Sequence, residues 1–378
     1  MMKVMELIPT MSTGGAETMV KDYAVLLDPK KIDVHVVVLD KHYDSLNEKI
    51  LDEHRIKTTY LGEVLYGDRT DLNILQKMIK RLYRYVHLRK LVIKENPDII
   101  HVHLVLGKYL RFLPIKKQGI KLVFTVHNVI EHYFSKDRGE KRKYKEYLEC
   151  QRLIDRYGMT LIALHDSMNR ELREYFHTDK VITVNNGIQM DRFSRELYDR
   201  EKIRAELGIM EKDFVVGHVG RMHPQKNHDL IIEVFVELLK KQDNARLLLI
   251  GKGELEDSVR ERIELLGIQE KVIMLKNRPD IPELMCAMDV FLFPSRWEGY
   301  GNVMLEAQCM GLPCVISDKV PACVRVTNQV RVISLDDSID EWIEAILDHR
   351  NGDNMTVRMD DYDMKNCVKK LQKIYNSL

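Results

Sequence analysis

The sequence predicts an α/β protein built as two units, each around its own parallel sheet. Strand-like apolar runs alternate with helical periodicity nearly throughout. A length of 378 residues exceeds what one hydrophobic core ordinarily serves. Near the middle, Asn185-Asn186-Gly187-Ile188-Gln189 is turn-forming and marks a crossing point between the units. The expected division is a first domain over 1–186, a second over 187–355 and a helical tail over 356–378.

In the first unit, short runs rich in Val, Ile and Leu predict strands near 3–8, 34–39, 58–61, 99–102, 122–126, 161–163 and 181–184. Helices fill the intervals, including a long one over 71–95. Asn96-Pro97 ends it, because the residue before a proline is pushed out of helical geometry. The second unit opens with Phe214-Val215-Val216-Gly217-His218-Val219-Gly220, a continuous apolar strand ending in glycine. Further strands fit 247–250, 272–275, 290–293, 314–316 and 330–333. Helices fit 228–241, 255–266, 281–288, 302–310 and 338–348, with Asp336-Asp337 helping to start the last. An amphipathic helix fits 364–375. Two such open sheets facing each other leave a cleft at the carboxyl ends of their strands, where ligands of this architecture bind.

Composition narrows the class. At 45% apolar and 31% charged, the chain suits a soluble globular protein with substantial cores. It contains no run of 18 apolar residues, so no spanning helix is expected, and residues 1–9 are too short for a secretory segment. Cys150, Cys286, Cys309, Cys314, Cys323 and Cys367 form no C-x-x-C pair and read as reduced core thiols of a cytoplasmic protein. A net charge of +1 hides an asymmetry, since residues 1–186 hold 32 Lys and Arg against 25 Asp and Glu. Residues 72–130 carry 12 basic residues against Glu95 and Asp98 alone. That stretch favours an acidic partner, with a solvated helix face as the plain alternative.

Phe293-Pro294-Ser295-Arg296-Trp297-Glu298-Gly299-Tyr300-Gly301-Asn302-Val303-Met304-Leu305-Glu306-Ala307 carries the most information. It reads as a strand end, a glycine-broken turn and a helix start. Glu298 falls in the turn, and Glu306 is expected about two turns into the helix. The glycines between them let backbone N–H groups approach an anion at a helix N-terminus. Two separated carboxylates around such an amide nest suit a ligand with hydroxyls at both ends and phosphate between, as in a nucleotide sugar.

Arg221-Met222-His223-Pro224-Gln225-Lys226-Asn227 leaves the strand ending at Gly220 and leads at once into a helix. Two cations five residues apart there make a diphosphate site, where a salt bridge at a strand end is the plainer reading of Arg221 alone. A departing diphosphate gains charge as its bond to sugar breaks, so groups fixed on it favour the transition state. Gly14-Gly15-Ala16-Glu17 opens the first helix as another amide nest or a simple tight turn, and is neither G-x-G-x-x-G nor a P-loop. His101 and His103 read as satisfied core histidines; metal binding is disfavoured because further ligands are not evident. His127, followed by a polar loop, is the better candidate to touch substrate. Asp361-Tyr362-Asp363 lacks a preceding apolar strand and reads as chance composition rather than a metal-holding D-x-D.

Together these residues resemble the family 4 retaining glycosyltransferases of the GT-B fold, over nearly the whole chain. The resemblance rests on Gly14-Gly15-Ala16-Glu17, His101-Val102-His103, Asn186-Gly187-Ile188, Gly220-Arg221 with Lys226-Asn227, Gly251-Lys252-Gly253, and Pro294-Ser295 before the two glutamates. It implies two Rossmann-like α/β/α domains facing each other across a cleft, with the donor mainly on the second. It implies transfer of a sugar from a nucleotide diphosphate sugar with retained configuration, no cofactor and no essential metal. Glu306 would bind ribose hydroxyls and Glu298 donor-sugar hydroxyls. Arg221 and Lys226 would neutralise the diphosphate with amides of Gly299, Tyr300, Gly301 and Asn302, while Gly14 and Gly15 would line the donor. His127 takes the place of a histidine set against the donor sugar, and the final helix would cross back to brace the first domain. After Gly311-Leu312-Pro313, Ser317 to Cys323 departs from the usual glycine pair and Pro-Glu, and the chain is similar to members that build capsular or exopolysaccharide.

The expectation is therefore a cytoplasmic hexosyltransferase using a UDP-sugar, with a glycan or polyprenyl-diphosphate-linked acceptor. Peripheral contact with an anionic membrane at the inner face is expected, and no nucleic acid. A sugar-nucleotide epimerase of the same architecture and a non-catalytic nucleotide-sugar-binding protein are the alternatives.

Overall fold

A computed structural model describes the chain apart from residues 13, 42–44, 63, 64, 66–71, 105, 106, 277 and 349–358, and the side chains of 359 and 360. The expected helix start at 71 and the expected domain end at 355 lie outside the described residues. The chain divides into two compact units, Met1–Gly187 with Met364–Leu378, and Ile188–Asp363.

The first unit holds β1 (Met2–Ile8), β2 (Ile32–Val38), β3 (Lys57–Tyr60), β4 (Ile99–His103), β5 (Lys121–Thr125), β6 (Thr160–Ala163) and β7 (Val181–Thr183). They form one sheet in the order β3-β2-β1-β4-β5-β6-β7. Every neighbouring pair is parallel, as helical crossovers require. The long helix runs over Ile74–Glu95, starting from a reciprocal capping box between Asn73 and Gln76. It ends at Asn96, whose φ is 46°, directly before Pro97 as the sequence requires.

The second unit holds β8 (Phe214–Val219), β9 (Ala245–Ile250), β10 (Val272–Leu275), β11 (Val290–Phe293), β12 (Cys314–Ser317) and β13 (Val330–Ile333). Their order is β10-β9-β8-β11-β12-β13. Both sheets thus turn back on themselves beside their first strand, at β1/β4 and at β8/β11, and such switch points are where α/β sheets take ligands. The second core packs Ile231, Val234, Phe235 and Leu238 of the helix His228–Lys241, with Trp342 and Ile346, against Val216, Leu247, Leu249 and Val290. The helix carrying Trp342 begins differently from expectation. A capping box of Ser338 and Glu341 starts it, while the Asp337 carboxylate accepts from the Ser334 N–H at 2.8 Å.

The helix Met364–Ser377 belongs to the first unit. Met364, Cys367, Val368, Leu371 and Ile374 recur at helical spacing and cluster with Val4, Ile99 and Val123 of the sheet. Each fully buried aliphatic side chain of this kind contributes roughly 1.5–3 kcal/mol.

Candidate active site

At the β8/β11 switch point, two loops leave the second sheet together. The backbone N–H of Arg296 donates to Gln225 O at 2.8 Å, and the Gln225 side-chain amide donates to Trp297 O at 2.8 Å. The Arg296 guanidinium also donates to Asn227 Oδ1 at 2.8 Å. Pro224–Lys226 forms one 3-10 turn, Asn227 takes φ 56°, and the helix His228–Lys241 follows at once. A third loop braces the first, because Gly251 has φ 153° and a Cβ there would stand 2.0 Å from Gly220 O. Only glycine fits.

These loops bring Lys226 and Glu298 together. Lys226 Nζ lies 2.5 Å from Glu298 Oε1, with side chains 14% and 6% exposed. The ammonium also sits 4.5 Å from the centre of the Phe293 ring, a favourable cation–π arrangement. Beneath it, the His218 Nδ1–H donates to Leu292 O at 2.9 Å. Burial, then the neighbouring His228, holds the His218 imidazole well below its ordinary range. His228 falls to about 4 through burial and then Lys226. Both rings are therefore neutral beneath the lysine at neutral pH. Arg221 is exposed, and its guanidinium makes no ion pair or hydrogen bond among the described residues. Its charge and burial together lower His223, burial being the larger cause.

Beyond Glu298, Gly299 and Tyr300 are buried, and Gly301 takes φ 89° as the residue capping the helix Asn302–Cys309. Glu306 is the fifth residue of that helix, little more than one turn in, where about two were expected. The spacing between the two glutamates includes an irregular stretch before the helix begins. Further along, the Gln308 side chain fastens the stretch that follows the atypical segment: its oxygen accepts from Val326 N at 2.9 Å and Thr327 N at 3.0 Å.

In the first unit, Gly14 caps the helix Gly15–Leu26 with an ordinary φ of −77°. A Cβ on Gly15 would meet nothing within 4 Å, so no protein atom requires glycine there. His101 and His103 are fully buried on β4, and His103 Nδ1 lies 3.0 Å from Nε2 of the half-buried His127. Sequence reasoning overlooked Glu6. Its carboxylate reaches His103 Nε2 at 2.6 Å and Tyr375 Oη at 2.8 Å. Ligand atoms of Glu6, His101 and His103 all lie within 4.8 Å, so a third potential metal ligand does exist, contrary to expectation. The signal was available, since Glu6 is the lone acid inside an apolar central strand. No helix among the described residues is long and apolar enough to cross a membrane.

Residues 199–365 match the model for glycosyl transferases group 1, and residues 13–192 match that for glycosyltransferase family 4. The two matches tile the chain in the same two blocks as its sheets. The chain belongs to the family 4 glycosyltransferases. Its relatives include EpsF of Bacillus subtilis (strain 168), named as a glycosyltransferase, 26% identical over 99% of this chain and 96% of that protein. Another is the UDP-Gal:alpha-D-GlcNAc-diphosphoundecaprenol alpha-1,3-galactosyltransferase of Escherichia coli, 28% identical over 79% of this chain and 77% of that protein. HepE of Anabaena, solved in complex with UDP-glucose, is a structural neighbour with TM-score 0.78 and 18% identity over all of both chains. As a family 4 glycosyltransferase of the GT-B fold, the chain is a transferase enzyme, and nothing in these relatives favours the epimerase. The group 1 match contains Arg221, Lys226, Glu298 and Glu306, and the family 4 match contains Gly14, Gly15 and His127.

Proposed function

We propose that this glycosyltransferase moves a sugar from a UDP-sugar, with retention and without a metal, to a lipid-linked or growing polysaccharide glycan. The observation that carries the reading is the pairing of Lys226 with Glu298 beside exposed Arg221. A ligand offering both an anion and hydroxyls serves each half of that pair, and a nucleotide diphosphate sugar offers both. Lys226 and Arg221 take the diphosphate with the amides of Gly299 to Asn302. Glu298 takes sugar hydroxyls, and Glu306 the ribose. The bond from the anomeric carbon to the diphosphate oxygen breaks as the acceptor hydroxyl attacks on the same face. Its proton passes to the leaving phosphate oxygen, giving glycoside and nucleoside diphosphate. The cations stabilise charge that grows only as the bond breaks, which is where binding becomes catalysis. The UDP-Gal donor and diphosphoundecaprenol acceptor in the name of the Escherichia coli relative support UDP and a lipid-linked acceptor.

The acceptor side supports contact with an anionic membrane at the inner face. On the helix Ile74–Glu95, Ile74, Leu75, Met78 and Leu82 are 64% exposed or more, among Lys77, Arg81, Arg89 and Lys90. Exposed apolar groups on a basic helix suit the interface of anionic lipid. Thermal-shift titration against UDP-, GDP- and ADP-sugars tests the donor, since binding to the folded form raises Tm. No preference for UDP-sugars would overturn that part. Sedimentation with neutral and anionic vesicles at low salt tests the surface, and equal binding to both would remove it.

A further inference from the structure

The face of the first sheet under the helix Met364–Ser377 changes character along its strands. Toward the amino ends it presents Val4, Ile99 and Val123. Two residues on, at the same side of the pleat, stand Glu6, His101 and Thr125, with His103 beyond. All four are fully buried. Such groups are tolerated in a core only when their hydrogen bonds are complete, and here the partners are specific.

The Tyr375 hydroxyl donates to Glu6 Oε1 at 2.8 Å and accepts from the His101 Nδ1–H at 2.5 Å. His101 Nε2 reaches Thr125 Oγ1 at 2.7 Å. The other carboxylate oxygen of Glu6 faces His103 Nε2 at 2.6 Å. An ionised carboxylate only accepts, so His103 carries its proton on Nε2. Burial, aided by His101 and opposed by Glu6, lowers His103 to about 4, so it is neutral at physiological pH and its Nδ1 is bare. That bare nitrogen lies 3.0 Å from His127 Nε2, which must then be the donor. His127 is also held well below its ordinary range, by burial first and then by His103 and His101. A neutral ring with its proton on Nε2 leaves Nδ1 as a lone pair, and Nδ1 has no hydrogen-bond partner among the described residues. Because the nitrogens and carboxylate oxygens of this cluster already serve one another, it reads as a proton-ordering relay rather than an ion cage.

We propose that Glu6 and His103 are positioning residues that act through His127: Glu6 fixes the proton of His103, His103 fixes that of His127, and His127 Nδ1 is left to accept a hydrogen bond from a hydroxyl of the transferred sugar. This rests on the reading of His127 as a sugar contact. The logic is that of a carboxylate orienting a catalytic imidazole, extended by one further ring. Tyr375 is the outer anchor: its hydroxyl holds Oε1 of Glu6, so that Oε2, which also lies 3.3 Å from His101 Nδ1, is the oxygen that faces His103.

The test is nitrogen-15 histidine NMR of the whole protein without sugar, with His127 assigned by His127→Asn. The wild type is expected to carry the His127 proton on Nε2; a proton on Nδ1 overturns the relay. In Glu6→Gln, Tyr375 still donates to the amide oxygen, which leaves the NH2 group to donate into His103 Nε2. The His103 proton must move to Nδ1 and donate to His127 Nε2, so the His127 proton moves to Nδ1. The expected result is an inverted His127 tautomer and a kcat/KM lower by on the order of 10-fold or more, as a lost hydrogen bond in a buried site costs. An unchanged His127 tautomer in a folded Glu6→Gln protein also overturns the relay; if that variant does not fold, the wild-type spectrum decides. The tautomer is read without donor, so failure to find any sugar substrate would sink the transfer reading and leave the relay standing.

Discussion

Lys226 Nζ and Glu298 Oε1 stand 2.5 Å apart across 72 residues of sequence, joining the loop after β8 to the loop after β11. Apart from the single 3-10 turn Pro224–Lys226, these loops are irregular, so this contact, the Arg296–Asn227 hydrogen bond and the two hydrogen bonds of Gln225 hold the geometry at the switch point. A well-buried pair of opposite charges is fragile in a specific way: removing one partner leaves the other desolvated and unpaired.

Lys226→Ala and Glu298→Ala should therefore each lower Tm more than the double variant does per residue removed, and each should reduce transfer by about 10²-fold or more. A double-mutant cycle by thermal unfolding reads the coupling. Additive losses of stability would show that the pair is not energetically linked.

Arg221→Ala should behave oppositely. The side chain is exposed and makes no ion pair among the described residues, so stability should change by no more than about 0.5 kcal/mol. Donor turnover should nonetheless fall on the order of 10²-fold, through lost stabilisation of the leaving diphosphate. Differential scanning fluorimetry beside initial rates separates the two effects.

Gly15 and Gly251 make a matched contrast. Gly251→Ala places a Cβ 2.0 Å from Gly220 O at φ 153°, and should destabilise by about 1–3 kcal/mol or more. Gly15→Ala meets nothing within 4 Å and should leave Tm unchanged or slightly raised. If a donor approaches that backbone, the same variant should weaken donor binding, which isothermal titration would read.

Acid should unfold the protein earlier than its near-neutral charge suggests. His103 and His228 fall to about 4 in the fold, and His127 and His218 fall well below 6.5. The unfolded chain takes up these protons near pH 6.5, while the native state refuses them. Stability is thus complete above that pH and declines as pH drops from 6.5 toward 4. Burial would raise Glu6, but His101 and His103 override it and hold the carboxyl well below its usual range, so its loss begins lower, under pH 4.5. Chemical denaturation at pH 7.5, 6 and 5 should show a falling midpoint; a flat profile would contradict these environments.

The strand pattern was legible because parallel strands are buried on both faces and show up as unbroken apolar runs, as Phe214 to Val219 and Val290 to Phe293 do. Arg221, Lys226 and Glu298 were legible because each follows a strand end and sits among glycines or helix starts. What escaped is long-range. The Tyr375 contact with Glu6 spans 369 residues, and no local period announces it. The depth of Glu306 was misjudged although the helix start was expected at 302, where it lies: only four helical residues precede it, little more than one turn. The start of the helix Ile339–Leu347 was assigned to the Asp pair, although Ser338 with Glu341 fits the capping pattern better.

The helix Met364–Ser377 completes a core begun more than three hundred residues earlier. A nascent chain emerging from the ribosome therefore cannot finish its first unit when residue 187 appears. Met19 and Tyr23 of the helix Gly15–Leu26 share that core, but the part completed by the last helix stays open while the whole second unit is translated, and Glu6 waits for Tyr375 to arrive. This unit is completed only after the second has been translated, and a premature stop before residue 364 would cripple the half of the protein already made.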